Sequence, residues 1–235
     1  MAGSNGDLKL LGHKGSPFVA RVKLALGLKG ISYDYVEEDI FGQKSDLLLR
    51  SNPVHKAVPV LIHNGKPICE SQVIVQYIDE VFVGTGPSLL PADPYDRALA
   101  RFWVAYIDDK LGASFDRALR AKTDEERNEA IKQTFAAAEA LEGGLKECSK
   151  GKNFFGGDNA GYVDIIVGSV VPWVKVISVL AGAELFDPAK MPGMVAWVDR
   201  FCELDVAKAV LQDPKILLEQ AKMLMAKNSA VASNN

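Results

Sequence analysis

The sequence predicts two domains of different class, a small α/β domain followed by a larger all-helical one. Three observations predict it. Strand and helix patterns alternate as far as Val83. The stretch Gly84–Pro94, GTGPSLLPADP, carries three prolines and two glycines and reads as a linker. Beyond it, apolar residues recur at helical spacing and no strand pattern is found. The expected boundaries are residues 1–83 for the first domain, 84–94 for the linker and 95–235 for the helical domain.

Each element has a local cause. Leu8–Leu11 is an apolar strand and Gly12–Gly15 a turn. From Phe18 onward, apolar residues recur at Phe18, Val22 and Ala25 and at Val19, Val22 and Leu26, with Arg21 and Lys23 polar, which is helical spacing. Ser16 is then the N-cap, Pro17 the first helical residue and Gly30 the C-terminal stop. Tyr33–Glu37 alternates large and polar side chains as a second strand, and Val58–Ile62 is a third, with Pro59 at its start. Asn64-Gly65 is a hairpin signal leading to a fourth strand at Pro67–Cys69. A helix follows from Ser71, with Ile74, Tyr77, Ile78 and Val81 on one face. Past the linker, helices are expected over Tyr95–Leu119 and over Asp124–Cys148, the latter opened by a Thr123/Glu126 capping box. A glycine-rich loop covers Asn153–Gly161. An apolar helix at Ile165–Ala183, a helix at Met194–Cys202 and a last one at Pro214–Ala226 complete the chain.

Composition narrows the function. With 235 residues and 48% apolar side chains, the chain has ample material for buried cores. A net charge of −3 with interspersed signs offers no basic stripe for nucleic acid. The three cysteines, Cys69, Cys148 and Cys202, form no CxxC pair and no metal pattern, which points to a reducing compartment. Met1–Asp7 has no basic region leading into an apolar one, so no signal peptide is expected and the location is read as cytoplasmic. Ile165–Ala183 is about long enough to cross a bilayer. It contains Pro172 and Lys175, and acids rather than bases flank it at Asp164, Glu184 and Asp187, so it reads as a buried core helix. The small polar end Lys227–Asn235 is expected to fray.

Three places carry chemistry. A helix start presents unpaired N–H groups and partial positive charge, and the Ser16 hydroxyl there can donate to an anion, a thiolate or a phosphate. Most Ser-Pro pairs before helices do no more than cap. A cis Val58-Pro59 bond would free the Val58 backbone to pair with a peptide-like ligand, although the residues alone favour an edge strand with a trans proline. At Glu70-Ser71, Ser71 as N-cap makes a carboxylate site and Glu70 suits an ammonium, which together fit the end of an α-amino acid, although the residues alone favour an ordinary capped helix. Asp164 sits in the first turn of the apolar helix and is assigned a structural role. His13, His55 and His63 are scattered, with no partner at catalytic or metal spacing, so no metal is expected.

The order and spacing of Ser16-Pro17-Phe18, Asn52-Pro53, Val58-Pro59 and Glu70-Ser71 resemble the glutathione transferases. The stretch Pro53–Ser71, with Ile68-Cys69-Glu70-Ser71, resembles the plant tau class. So do Arg101-Phe102-Trp103, Phe155-Gly156-Gly157-Asp158 and Gly161-Tyr162-Val163-Asp164. The resemblance implies a thioredoxin-like first domain, a helical second domain, a homodimer, and glutathione as co-substrate. It implies that Ser16 hydrogen-bonds the glutathione sulfur, that Val58 beside a cis Pro59 pairs with the cysteinyl backbone, and that Glu70 and Ser71 hold the γ-glutamyl end. Lys44 and Lys56 would meet the glycine carboxylate, but tau proteins often carry two consecutive lysines there and this chain has Ala57 after Lys56. The electrophile pocket is expected from Phe18, Trp103, Tyr106, Lys110 and Trp173, although Trp103, beside Phe102 in a buried-looking stretch, reads rather as core, and Tyr106 fits core and cleft equally.

Serine suits such a site because it donates a hydrogen bond without competing as a nucleophile, whereas a cysteine would form mixed disulfides. The expected reaction is addition of glutathione thiolate to hydrophobic electrophiles, with peroxide reduction as a side activity. A non-catalytic carrier of hydrophobic ligands or conjugates is the alternative, and an interaction module is a third reading.

Overall fold

The computed structural model describes residues 7–40 and 42–232. The expectations for the first six residues and the last three fall outside that range. By internal contacts the chain divides into one unit running to Leu90 and including Asp205–Val210, and a second unit of Pro91–Leu204 with the residues from Leu211 onward.

The first unit is a four-stranded sheet with helices. Its strands are β1 (Leu8–Gly12), β2 (Asp34–Glu37), β3 (Val60–His63) and β4 (Lys66–Cys69), in spatial order β2-β1-β3-β4. β1 runs parallel to β2, and the other pairings are antiparallel. The parallel pair needs a crossover, supplied by α1 (Pro17–Leu28). Gly30 stops α1 as expected: at φ +66 it lets Ile31 N–H reach the Leu26 carbonyl and its own N–H reach Gly27, a Schellman pair. The β3–β4 turn opposes His63 to Lys66 across Asn64 and Gly65, both at positive φ, which suits the twist of a two-residue hairpin. α3 (Ser71–Val81) completes the predicted elements, but Val81 is exposed and Val75 takes its place in the core beside Ile74 and Ile78.

One face of the sheet packs Leu11 and Val60 against Leu48 of α2 (Asp46–Ser51). The sequence did not foretell this helix. It has only six residues, and its consecutive leucines show no period; Ser45 caps it and Glu38 holds the Ser45 hydroxyl at 2.7 Å. The polarity of α1 also differs from expectation. Arg21 is buried at 2% exposure, while Phe18 is 46% exposed with its ring under the Arg21 guanidinium. The start of the linker belongs to this unit: Leu89 and Leu90 donate backbone N–H groups to the Asp79 carboxylate, which also pairs with buried Lys29 at 2.8 Å.

The second unit is helical. The expected Tyr95–Leu119 helix is α4 (Pro94–Tyr106), a π-helical turn (Ile107–Gly112) and α5 (Ala113–Arg120). α6 (Asp124–Ser149) opens with Glu126 N–H on the Thr123 hydroxyl, and the Glu126 carboxylate reaches back to Lys122 N–H, one residue beyond an ideal capping box. α7 (Tyr162–Ala181) is long and apolar enough to cross a membrane, yet 72% of its apolar window is buried, so it is the core helix expected. α8 (Pro192–Glu203) follows, then α9 (Asp205–Val210), a second six-residue helix that sequence spacing did not reveal and that belongs to the first unit. α10 (Pro214–Ala232) continues past Ala226, through residues expected to fray.

The Phe201 ring lies directly on Gly168, is fully buried, and stacks on Trp197 with centroids 5.0 Å apart. A methyl carbon at residue 168 would come within 2.1 Å of the Phe201 ring, a severe overlap. Gly168→Ala is therefore expected to cost about 1–3 kcal/mol, read as a shift of the urea unfolding midpoint with an unchanged slope.

Candidate functional site

β1 ends at Gly12, and a three-residue loop delivers Ser16 to the tip of α1. The Ser16 N–H bonds the His13 carbonyl at 3.0 Å, and its hydroxyl accepts the Val19 N–H at 3.3 Å. Accepting that bond uses one lone pair and leaves the hydroxyl proton available to donate. Ser16 is half-buried, so a ligand atom can reach it.

The Val58-Pro59 bond is cis, as the resemblance implies and against the trans reading of the residues alone. β3 is also an inner strand rather than an edge, and it begins only at Val60. Val58 precedes it, and among the described residues no hydrogen bond involves its N–H or C=O. The preceding loop is braced by Asn52, whose amide donates to the Ala57 carbonyl at 2.9 Å and accepts the His55 N–H at 3.1 Å. Lys44 donates to the Lys56 carbonyl at 2.8 Å, and the exposed Lys56 adopts φ +52. These two lysines are brought together through the backbone.

Ser71 is not the N-cap of α3. Glu70 occupies that position at φ +70 without a side-chain cap bond, and Ser71 is the first helical residue. The buried Ser71 hydroxyl accepts from the Arg21 guanidinium at 3.2 Å, which leaves its own proton free to donate. The Glu70 carboxylate is 61% exposed, 3.9 Å from the His55 imidazole. The α3 start thus combines helix N–H groups, an oriented hydroxyl and an exposed carboxylate, a set that accommodates both charges of an amino-acid end. Sequence reasoning missed Arg21, because a single arginine at helical spacing reads as a solvated face.

In the second unit, the Asp164 carboxylate is fully buried and receives the N–H groups of Phe155, Gly156 and Gly161 and the Trp197 indole N–H at 2.7–2.9 Å. Burial pushes its pKa up to about 6, against those four hydrogen bonds. This is a structural centre, as assigned from its place in the first turn. Among the described residues no cluster of His, Cys, Asp and Glu is placed to hold a metal ion.

A model of the glutathione S-transferase N-terminal domain matches residues 6–80, and one of the C-terminal domain matches residues 95–205. The chain belongs to the glutathione S-transferases. It is 52% identical to a probable glutathione S-transferase of Oryza sativa subsp. japonica, with 98% of each chain covered. The solved tau-class enzyme of mango, Mangifera indica, superposes with a TM-score of 0.87 at 45% identity, covering 94% of this chain and 100% of that one. The rice enzyme GST1, solved in complex with glutathione, gives a TM-score of 0.87 at 36% identity over 95% and 98%. The likeness to the mango and rice proteins places the transferase in the plant tau class.

The residues expected at the electrophile pocket of the transferase separate into groups. Trp103 is 8% exposed, lies against Gly144, and donates its indole N–H to Glu147 at 3.1 Å, which is a packing role. Tyr106 meets Trp103 edge to face at 5.5 Å and donates its hydroxyl to the Ala137 carbonyl at 3.3 Å. Trp173 faces Phe115 at 5.3 Å and, among the described residues, makes no ring contact with Trp103 or Tyr106. With Leu111, Phe115, Thr134 and Leu185, Trp173 lines a small apolar cavity of about 30 Å³. Lys110 stands exposed in the π-helical turn, and Phe18 is exposed in the first unit.

Proposed function

We propose that the transferase adds the glutathione thiolate to hydrophobic electrophiles, with Ser16 as the hydroxyl that favours the sulfur anion. The observation that carries this reading is a half-buried serine at a helix tip whose hydroxyl accepts one backbone N–H and keeps its proton. A free thiol has a pKa of about 8.5, so one donor plus the helix N-terminus moves a bound thiol toward the anion at neutral pH. Val58, with both backbone polar groups open beside Pro59, suits the cysteinyl backbone. Glu70 and Ser71 suit the ammonium and carboxylate of the γ-glutamyl end. Lys44 and Lys56 suit the glycine carboxylate, with Ala57 removing one contact that tau relatives often have. The first domain, residues 1–83, would bind glutathione, residues 84–94 link it, and residues 95–235 supply Tyr106, Lys110 and Trp173 toward the electrophile, while Trp103 is taken up in packing. A homodimer and a cytoplasmic location complete the proposal.

The solved rice relative holds glutathione, and family membership favours turnover over a carrier role. Conjugation of a generic aryl halide tests the choice. A rate well above buffer supports the enzyme. Retention on glutathione resin without such a rate leaves the carrier, and failure of both removes glutathione from the account.

A further inference from the structure

We propose that Glu37 is a positioning residue for the proposed thiolate site: it fixes the His13–Lys14 peptide group on which Ser16 hangs. The proposal rests on the reading of Ser16 given above. Glu37 is the last residue of β2 and stands opposite Gly12 in the parallel register, so the sheet itself carries its carboxylate to the loop. One carboxylate oxygen accepts the Lys14 N–H at 3.1 Å and lies 3.1 Å from His13 Nδ1. The other accepts the Tyr35 hydroxyl at 2.7 Å. The carbonyl of the same His13–Lys14 peptide accepts the Ser16 N–H at 3.0 Å.

Both polar atoms of that peptide group are therefore pinned, one by a charged carboxylate and one by Ser16 itself. A peptide group is planar, so fixing its N–H fixes its C=O as well. Bonds to ionised acceptors are the stronger kind. Releasing Glu37 lets the peptide group turn and loosens the backbone that aims the Ser16 hydroxyl. The ionisable groups around this clamp are His13, Lys14, Tyr35 and Lys23, the last with its ammonium 3.6 Å from the Tyr35 ring centre. Nothing in the sequence pattern points to Glu37, because the loop groups it holds, at His13 and Lys14, lie more than twenty residues earlier.

Position and charge make opposite predictions. Removing a nearby negative charge, by itself, lowers the pH at which bound glutathione ionises. Loosening the Ser16 donor raises it. The thiolate absorbance of the glutathione complex, titrated in the ultraviolet, reads that midpoint. Glu37→Ala is expected to raise it by about half a pH unit or more and to lower kcat/KM near pH 6.5 by about 3–10-fold, with a smaller change in glutathione KM. Glu37→Gln keeps an acceptor for the Lys14 N–H and is expected to leave the midpoint at or slightly below that of the wild type. His13→Ala, which cuts one tie and leaves β2 intact, is expected to raise it less.

A midpoint unmoved or lowered in Glu37→Ala overturns the assignment; should that variant not fold, the same result in His13→Ala does so. Ser16→Ala in the same titration separates the two ideas. If it raises the midpoint and Glu37→Ala does not, only the clamp fails. If it changes nothing, the Ser16 reading fails and the clamp falls with it.

Discussion

Replacing Asp164 by alanine is expected to cost at least about 4 kcal/mol, enough to abolish or nearly abolish cooperative folding of the helical unit. The carboxylate has no solvent exposure and collects four donors: the N–H groups of Phe155, Gly156 and Gly161 and the indole N–H of Trp197. Alanine leaves all four without an acceptor; the Phe155, Gly161 and Trp197 donors are buried and the Gly156 one part-buried, and each buried unsatisfied donor costs about 1–3 kcal/mol. Water entering the vacated space relieves part of this, so the lower end of the sum is the appropriate estimate. The loss extends beyond the cap. Trp197 packs against Phe155 and Phe201, so the same carboxylate joins the glycine-rich loop, the start of α7 and the middle of α8. Asp164→Asn keeps one acceptor oxygen but turns an amide N–H₂ toward donors, and an intermediate loss is expected. Urea unfolding followed by tryptophan fluorescence measures both. A loss below about 1 kcal/mol for the alanine variant would show that the loop and the helices hold each other without the carboxylate.

The parts of the fold legible in the sequence are those fixed by neighbouring residues. Ser16 and Thr123 cap helices because their hydroxyls meet an N–H three residues on. Gly30 and Asn64-Gly65 mark positions of positive φ. The core role of α7 follows from its composition and its acidic flanks. What was not legible depends on residues distant in sequence. Arg21 reads as solvated until Ser71, fifty residues later, is placed beside it. Lys29 and Asp79 are unremarkable separately and become a buried ion pair only when α1 lies on α3. The helices α2 and α9, six residues each, are too short for a period to emerge and form because tertiary neighbours hold them. The site divides in the same way. Ser16, Val58, Glu70 and Ser71 lie at element ends that local chemistry marks. The supports behind them, Glu37 under the Ser16 loop and Asn52 and Lys44 around the Val58 loop, are set by tertiary packing.

Ser16→Ala is expected to reduce kcat/KM for conjugation by about 100-fold near pH 6.5, the scale on which a single preorganised donor to a developing or stable anion acts. The same substitution removes the N-cap bond to Val19, which costs about 1 kcal/mol of stability. A hundredfold change corresponds to about 2.7 kcal/mol at the transition state, so it exceeds the folding cost and is not produced by loss of folded protein. The pH dependence supplies the sign. With Ser16 acting as proposed, the bound thiol is expected to ionise below its ordinary value of about 8.5, and the rate to level off near neutrality. Without it, the thiol returns toward that value, so the rate of the variant rises with pH and its deficit shrinks in alkaline buffer. A deficit that stays constant from pH 6 to pH 9 would mean that Ser16 acts on folding or electrophile binding rather than on the sulfur. Glycine at the same position refines the test, because it costs the helix only a few tenths of a kcal/mol as a cap and yet offers no hydroxyl. Ser16→Gly is therefore expected to be the more stable of the two variants and equally slow.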